Sequence, residues 1–124
     1  MNQSESSISV AVITGGHAFD VPNFQRLFRS IPGVDAYIQH MEDFACSSAD
    51  VRKSYDVVLF YTMLTADPWY AGKPKTAVLE LGETNQGILV LHHAILNYPK
   101  WGNGARFQGL MAISGAFTTV KAWI

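Results

Sequence analysis

Cysteine is almost missing from this chain. Cys46 stands alone in 124 residues, which excludes an intrachain disulfide and a cysteine-based zinc site and makes a reducing compartment the simplest setting. Long apolar runs are missing too, none approaching the roughly 20 residues that a membrane-spanning helix requires. Residues 1–7 are polar and carry Glu5, without the basic start and apolar stretch of a secretory signal. Charge of one sign is also lacking. The formal net charge is -1 and the nine Lys and Arg residues are scattered, whereas a nucleic-acid binder clusters such cations to displace counterions. A cytoplasmic chain with no membrane and no nucleic-acid partner is therefore expected.

What is present is a globular composition, 48% hydrophobic and 15% charged, too apolar to stay disordered. A chain of this length makes one domain and buries about two thirds of its unfolded surface on folding. Three apolar runs, Val10-Ala11-Val12-Ile13-Thr14, Tyr55-Asp56-Val57-Val58-Leu59-Phe60-Tyr61 and Gly87-Ile88-Leu89-Val90-Leu91, are short and continuous, the pattern of strands buried on both faces of a parallel sheet. Between the first two, Phe24, Leu27, Phe28 and Ile31 stand at i, i+3, i+4 and i+7 and predict an amphipathic helix over 23–31, stopped by Pro32-Gly33. Residues 34–39 alternate weakly and read as an edge strand. Residues 41–54 read as a polar loop with a helical turn, 65–74 as a loop, and 76–84 as a helix weakened by Gly82. Strands alternating with helices predict an α/β domain with a parallel sheet in the flavodoxin-like order 2-1-3-4, incomplete at its C-terminus.

Polar side chains begin where the apolar strands stop. In an open sheet of this order ligands bind at the carboxyl edge, at the switch point between strands 1 and 3. Gly15, Gly16, His17 and Asp20 after the first strand, Tyr61 and Met63 after the third, and His92 and His93 after the fourth therefore line one expected site. The Gly15-Gly16 turn opens onto a helix N-terminus whose free N–H groups suit an anion. A full G-x-G-x-x-G and a following lysine are both missing, which excludes dinucleotide and P-loop sites.

His17 fits a general base, with Asp20 either orienting its imidazole or capping the helix. Because side chains alternate along a strand, His92 and His93 are expected to point apart, one into the site and the other serving as a structural histidine. A metal held by His17, His92 and an acid lacks ligand spacing on any single element, so neither a metal nor a cofactor is expected. Tyr98-Pro99 and Trp101 suit either an aromatic wall for a sugar ring or core packing. Trp69 and Tyr70, in the loop after the third strand, invite the same two readings, rim or core.

The runs Val-Ile-Thr-Gly-Gly-His-Ala-Phe-Asp at 12–20, Tyr-Asp-Val-Val-Leu-Phe-Tyr at 55–61 and Gly-Ile-Leu-Val-Leu-His-His-Ala at 87–94, followed by Tyr98-Pro99-Lys100-Trp101, resemble the ThuA-like (trehalose utilization) family. The resemblance covers residues 8–102 in order and spacing and makes that stretch a partial ThuA-like domain. It implies membership of the class I glutamine amidotransferase-like superfamily, whose fold matches the parallel sheet argued above. In amidotransferases a nucleophilic Cys sits on the sharp turn after the fourth strand, a slot that the alignment gives to His92. Cys46 lies elsewhere, and without a thiolate no glutaminyl thioester forms.

The resemblance implies instead a part in sugar or glycoside metabolism. It makes His17, Asp20, His92 and His93 the family-matching polar residues; taken with the sheet-edge reading, His17 and His92 are expected to be catalytic and Gly15, Gly16, Asp20, Tyr61, His93 and Trp101 to hold a small sugar or glycoside. After Gly102 the match fades to Gly104-Ala105-Arg106-Phe107. Residues 103–124 are thus expected to be the divergent tail of a truncated domain, which also fits a non-catalytic remnant or binding module. Val120, Ala122 and Ile124 alternate as a strand does and are candidates to patch the fourth strand. An edge left open there is a surface for pairing with a second copy of the chain.

Overall fold

Strands with no polar face must be covered on both sides, and this decides the architecture. The computed structural model describes residues 6–100 and 122–123. It places β1 (Ile8–Gly15) beside β3 (Val57–Thr62), with β2 (Val34–His40) outside β1 and β4 (Gly87–Leu91) outside β3, all parallel. The order β2-β1-β3-β4 is the flavodoxin-like one. A short β5 (Ala122–Trp123) pairs parallel with Val90 and Leu91, so the tail covers part of the β4 edge; Val120 and Ile124 lie outside the described residues.

Alternate residues of β1 divide the core. Val10 and Val12 join Leu59 and Phe28 of α1 (Val21–Arg29) in one cluster. Ala11 and Ile13 join Met41, Phe44, Phe60 and Val78 in the other, which is supplied by α2 (Met41–Cys46) and α4 (Gly72–Glu80). Helix α1 starts earlier than its apolar stripe suggests, because Asp20 caps it and Pro22 stands in its first turn, where no N–H is needed. Phe28 is buried, but Leu27 is 51% and Ile31 39% exposed, so the stripe that packs is narrower than the periodicity implies.

Segment 41–54 forms two short helices, α2 and α3 (Ala49–Lys53), where the sequence pattern predicts a polar loop with one helical turn. Each is too short to show a period, and each depends on its cap. His40 Nδ1 accepts from the Glu42 N–H at 3.2 Å, and Ser48 Oγ accepts from the Val51 N–H at 3.3 Å. Met41, Phe44 and Ala45 then form the buried face of α2. Arg52 of α3 is tied to Glu80 of α4 by an ion pair at 2.7 Å. The helix expected at 76–84 begins at Gly72, with Pro74 in its first turn, and yields at Leu81–Glu83 to a 3₁₀ turn containing Gly82.

One buried amide ties the exits of β3 and β4 together. Asn97 is fully buried; its Oδ1 accepts from the Leu64 N–H at 2.8 Å and its Nδ2 donates to Thr62 Oγ1 at 2.6 Å. The Leu64 carbonyl in turn accepts from the Tyr98 N–H at 3.0 Å. Replacing Asn97 by Leu keeps the branch at Cγ but leaves the Leu64 N–H unpaired and the Thr62 hydroxyl without its donor, each worth about 1–3 kcal/mol. Urea titration of Asn97→Leu is expected to show a clearly lower midpoint at unchanged slope, and a midpoint equal to that of the parent chain would contradict the role given to this amide.

Candidate functional site

All four histidines of the sequence gather at the carboxyl edge of the sheet: His17 follows β1, His40 ends β2, and His92 and His93 follow β4. Gly16 lets the exits of β1 and β3 meet. It has φ +83°, and a Cβ there would lie 2.1 Å from the Met63 carbonyl oxygen, so only glycine fits. Beyond this contact the loop carries the His17 ring to 4.8 Å from Tyr61 and 5.0 Å from His93, centroid to centroid.

The tautomer of His17 follows from its neighbour. Its Nδ1 lies 3.1 Å from the Ala18 carbonyl oxygen. A carbonyl only accepts, so the proton of the neutral ring sits on Nδ1 and the lone pair on Nε2. That Nε2 is buried and has no hydrogen-bond partner among the described residues. A basic nitrogen is thus held ready beside two other rings.

His92 and His93 do not point apart, contrary to the expectation from strand alternation. The strand ends at Leu91; His92 takes φ +55° and opens a 3₁₀ turn over His92–Leu96, so alternation no longer applies. The two rings lie 3.6 Å apart with their Nδ1 atoms 2.6 Å apart. Two lone pairs at that distance repel, so one Nδ1 carries a proton and donates it to the other. The neutral pair then offers one Nε2–H donor and one Nε2 acceptor. His93 is the member that meets His17, while His92 is exposed and sits 6.5 Å from Tyr61. Burial first, then the neighbouring His92 and His17, lower the His93 pKa below its ordinary 6.5.

Of the two roles open to Asp20, the structure shows capping. Its Oδ1 accepts from the Asn23 N–H at 3.2 Å and its Oδ2 from Asn23 Nδ2 at 2.7 Å; no hydrogen bond joins it to His17 among the described residues. The anion seat expected at this helix N-terminus is filled by the same carboxylate, and Pro22 offers no N–H there. Tyr98 is fully buried, so it packs in the core and forms no wall; burial pushes its phenol pKa up. Trp69 and Tyr70 sit half-buried against the core, Trp69 at 5.8 Å from His40 and Tyr70 at 5.6 Å from Tyr98. Trp101 lies outside the described residues.

His40 is the edge residue that sequence reasoning misses. The β1–β2 register sets it beside Thr14, and its Nε2 would lie 3.1 Å from a Cβ at Gly15. No local pattern reveals a register between strands. Among the described residues no group of three or more His, Cys, Asp or Glu side chains is arranged to hold a metal ion, and no helix is long and apolar enough to cross a membrane.

Fold and site together define an open parallel α/β domain with an imidazole cluster on its carboxyl edge. No protein-family model, curated protein or solved structure matches the chain.

Two outcomes follow from this geometry. Gly16→Ala meets a backbone oxygen in a left-handed conformation, so its strain alone is expected to cost about 1–3 kcal/mol in urea unfolding; parent-like stability would contradict the close approach. His93 favours its neutral form when folded, so its contribution is complete above pH 6.5 and is lost as pH falls below that value. The urea midpoint should therefore drop between about pH 7 and pH 5, and His93→Gln should flatten that drop. An identical pH profile in the variant would contradict it.

Proposed function

We propose that this chain is a ThuA-like domain that acts on a sugar or glycoside at the carboxyl edge of its sheet, without amidotransferase chemistry. The observation that carries the reading is the buried Nε2 of His17, which has no hydrogen-bond partner among the described residues and lies next to His93 and Tyr61. A small polyhydroxylated molecule supplies the hydroxyl protons that such a nitrogen accepts. In this reading His17 Nε2 takes a proton from the substrate, and the His92–His93 pair offers a donor at one Nε2 and an acceptor at the other. The lowered pKa of His93 favours its neutral form near neutral pH.

The place of His92 supports the second half of the proposal. It occupies the left-handed turn straight after β4, the slot that in the resembling amidotransferases holds the nucleophilic thiol. An imidazole there moves protons but forms no thioester. Cys46 ends α2, after β2, and is exposed. A cytoplasmic setting goes with this reading.

A binding module without turnover is the second reading. It is favoured by one observation: among the described residues His17 bonds to the Ala18 carbonyl and His92 to His93, none of them to the carboxylate that usually fixes a catalytic histidine.

Calorimetry and turnover assays with trehalose and its oxidised 3-keto derivatives separate the two. The enzyme reading expects turnover that falls by about 10²–10⁴ in His17→Ala, with His92→Ala also impaired. The module reading expects binding that both variants weaken, with no turnover in the parent. Binding unchanged in both variants would remove these residues from either account.

A further inference from the structure

Beside the imidazole cluster lies a groove with different chemistry. Phe19, Phe24, Leu27 and Tyr61 wall an open cavity of about 260 Å3, with Asp20 and Asn23 at its rim. This is the side of α1 that the apolar stripe assigns to the core and that the fold leaves in contact with water: Leu27 is 51% exposed, and the three rings are only partly buried. The rings brace one another. Phe24 stacks on Tyr61 at 4.6 Å, and Phe19 stands edge-on to both, at 5.2 Å from Phe24 and 5.7 Å from Tyr61. A groove held this way is formed before any ligand arrives, which removes part of the ordering cost of binding.

Its size and polarity select the occupant. Sites for drug-sized ligands start at about 300 Å3, while a cavity of roughly 150 Å3 suffices for benzene, so a single substituted aromatic ring matches this volume. The rim carboxylate and amide are already bonded to each other, and the walls are hydrocarbon. Tyr61 is shared: its ring lines the groove and touches His17 at 4.8 Å. The groove and the imidazole cluster are therefore separated by one ring, that of Tyr61.

We infer that the substrate is an aryl glycoside, its aromatic aglycone seated between Phe19, Phe24 and Leu27 and its sugar against His17 and His93. The sugar half rests on the function proposed above; the aromatic half rests on the groove. Aromatic contacts of this kind are expected to make 4-nitrophenyl glucoside bind about tenfold tighter than methyl glucoside. Leu27→Asp places a charge on the wall at an exposed position that packing does not need, and is expected to bring the aryl-to-methyl affinity ratio down to about one.

The test measures both glucosides and free 4-nitrophenol by NMR titration on the parent chain and on Leu27→Asp, following the Leu27 methyl and the Phe19, Phe24 and Tyr61 ring signals. Saturable shifts of these signals with 4-nitrophenol, lost in Leu27→Asp, support the groove even if neither glucoside binds, a result that would defeat only the sugar reading. Equal affinity for the two glucosides, together with no shift from 4-nitrophenol, overturns the aromatic subsite while leaving a sugar site at His17 intact.

Discussion

The two central strands of this sheet are apolar on both faces, and the placement of everything polar follows from that. Val10, Ala11, Val12 and Ile13 of β1 and Val58, Leu59 and Phe60 of β3 are all buried. A polar side chain inside either run would have to leave water without a partner, at a cost of several kcal/mol. Chemistry is thus pushed to the strand ends. The parallel arrangement then gathers those ends on one edge, which is why residues as far apart in the chain as His17 and His93 come into contact.

Two local devices hold the edge in shape. The Gly16 backbone lies directly on the Met63 carbonyl, so the loop after β1 is seated on the exit of β3. The Asn97 amide bridges Thr62 and Leu64 from beyond β4, so the turn bearing His92 and His93 is seated there too. The loops from β1, β3 and β4 therefore share one anchor point. Burial and the two neighbouring imidazoles favour the neutral form of His93, and its Nδ1 lies 2.6 Å from that of His92.

Much of this was legible in the residues and some was not, for physical reasons. The strands and their order could be read because a run such as Val57–Phe60 has no other sensible use, and the Gly15-Gly16 turn and the following polar residues marked the edge. Helices α2 and α3 could not, because they are too short for a period and exist through the His40 and Ser48 caps. The His92–His93 contact was hidden by the assumption that strand alternation continues past Leu91, when the left-handed φ of His92 ends it. Asn97 carries no signal in the sequence, since burial and partners from distant segments leave no local signature. Leu27 kept its helical spacing but stays 51% exposed, and that misfit is what uncovered the groove.

The central claim is that the imidazoles after β1 and β4 form one contacting cluster in which His92 and His93 share a proton. A long-range ¹H–¹⁵N spectrum of the histidine side chains, combined with ring-to-ring NOEs, tests it most directly. The account predicts His17 protonated on Nδ1, one proton shared between the Nδ1 atoms of His92 and His93, and NOEs linking His17 to both Tyr61 and His93. His17 protonated on Nε2, with rings that show no mutual NOE, would contradict it.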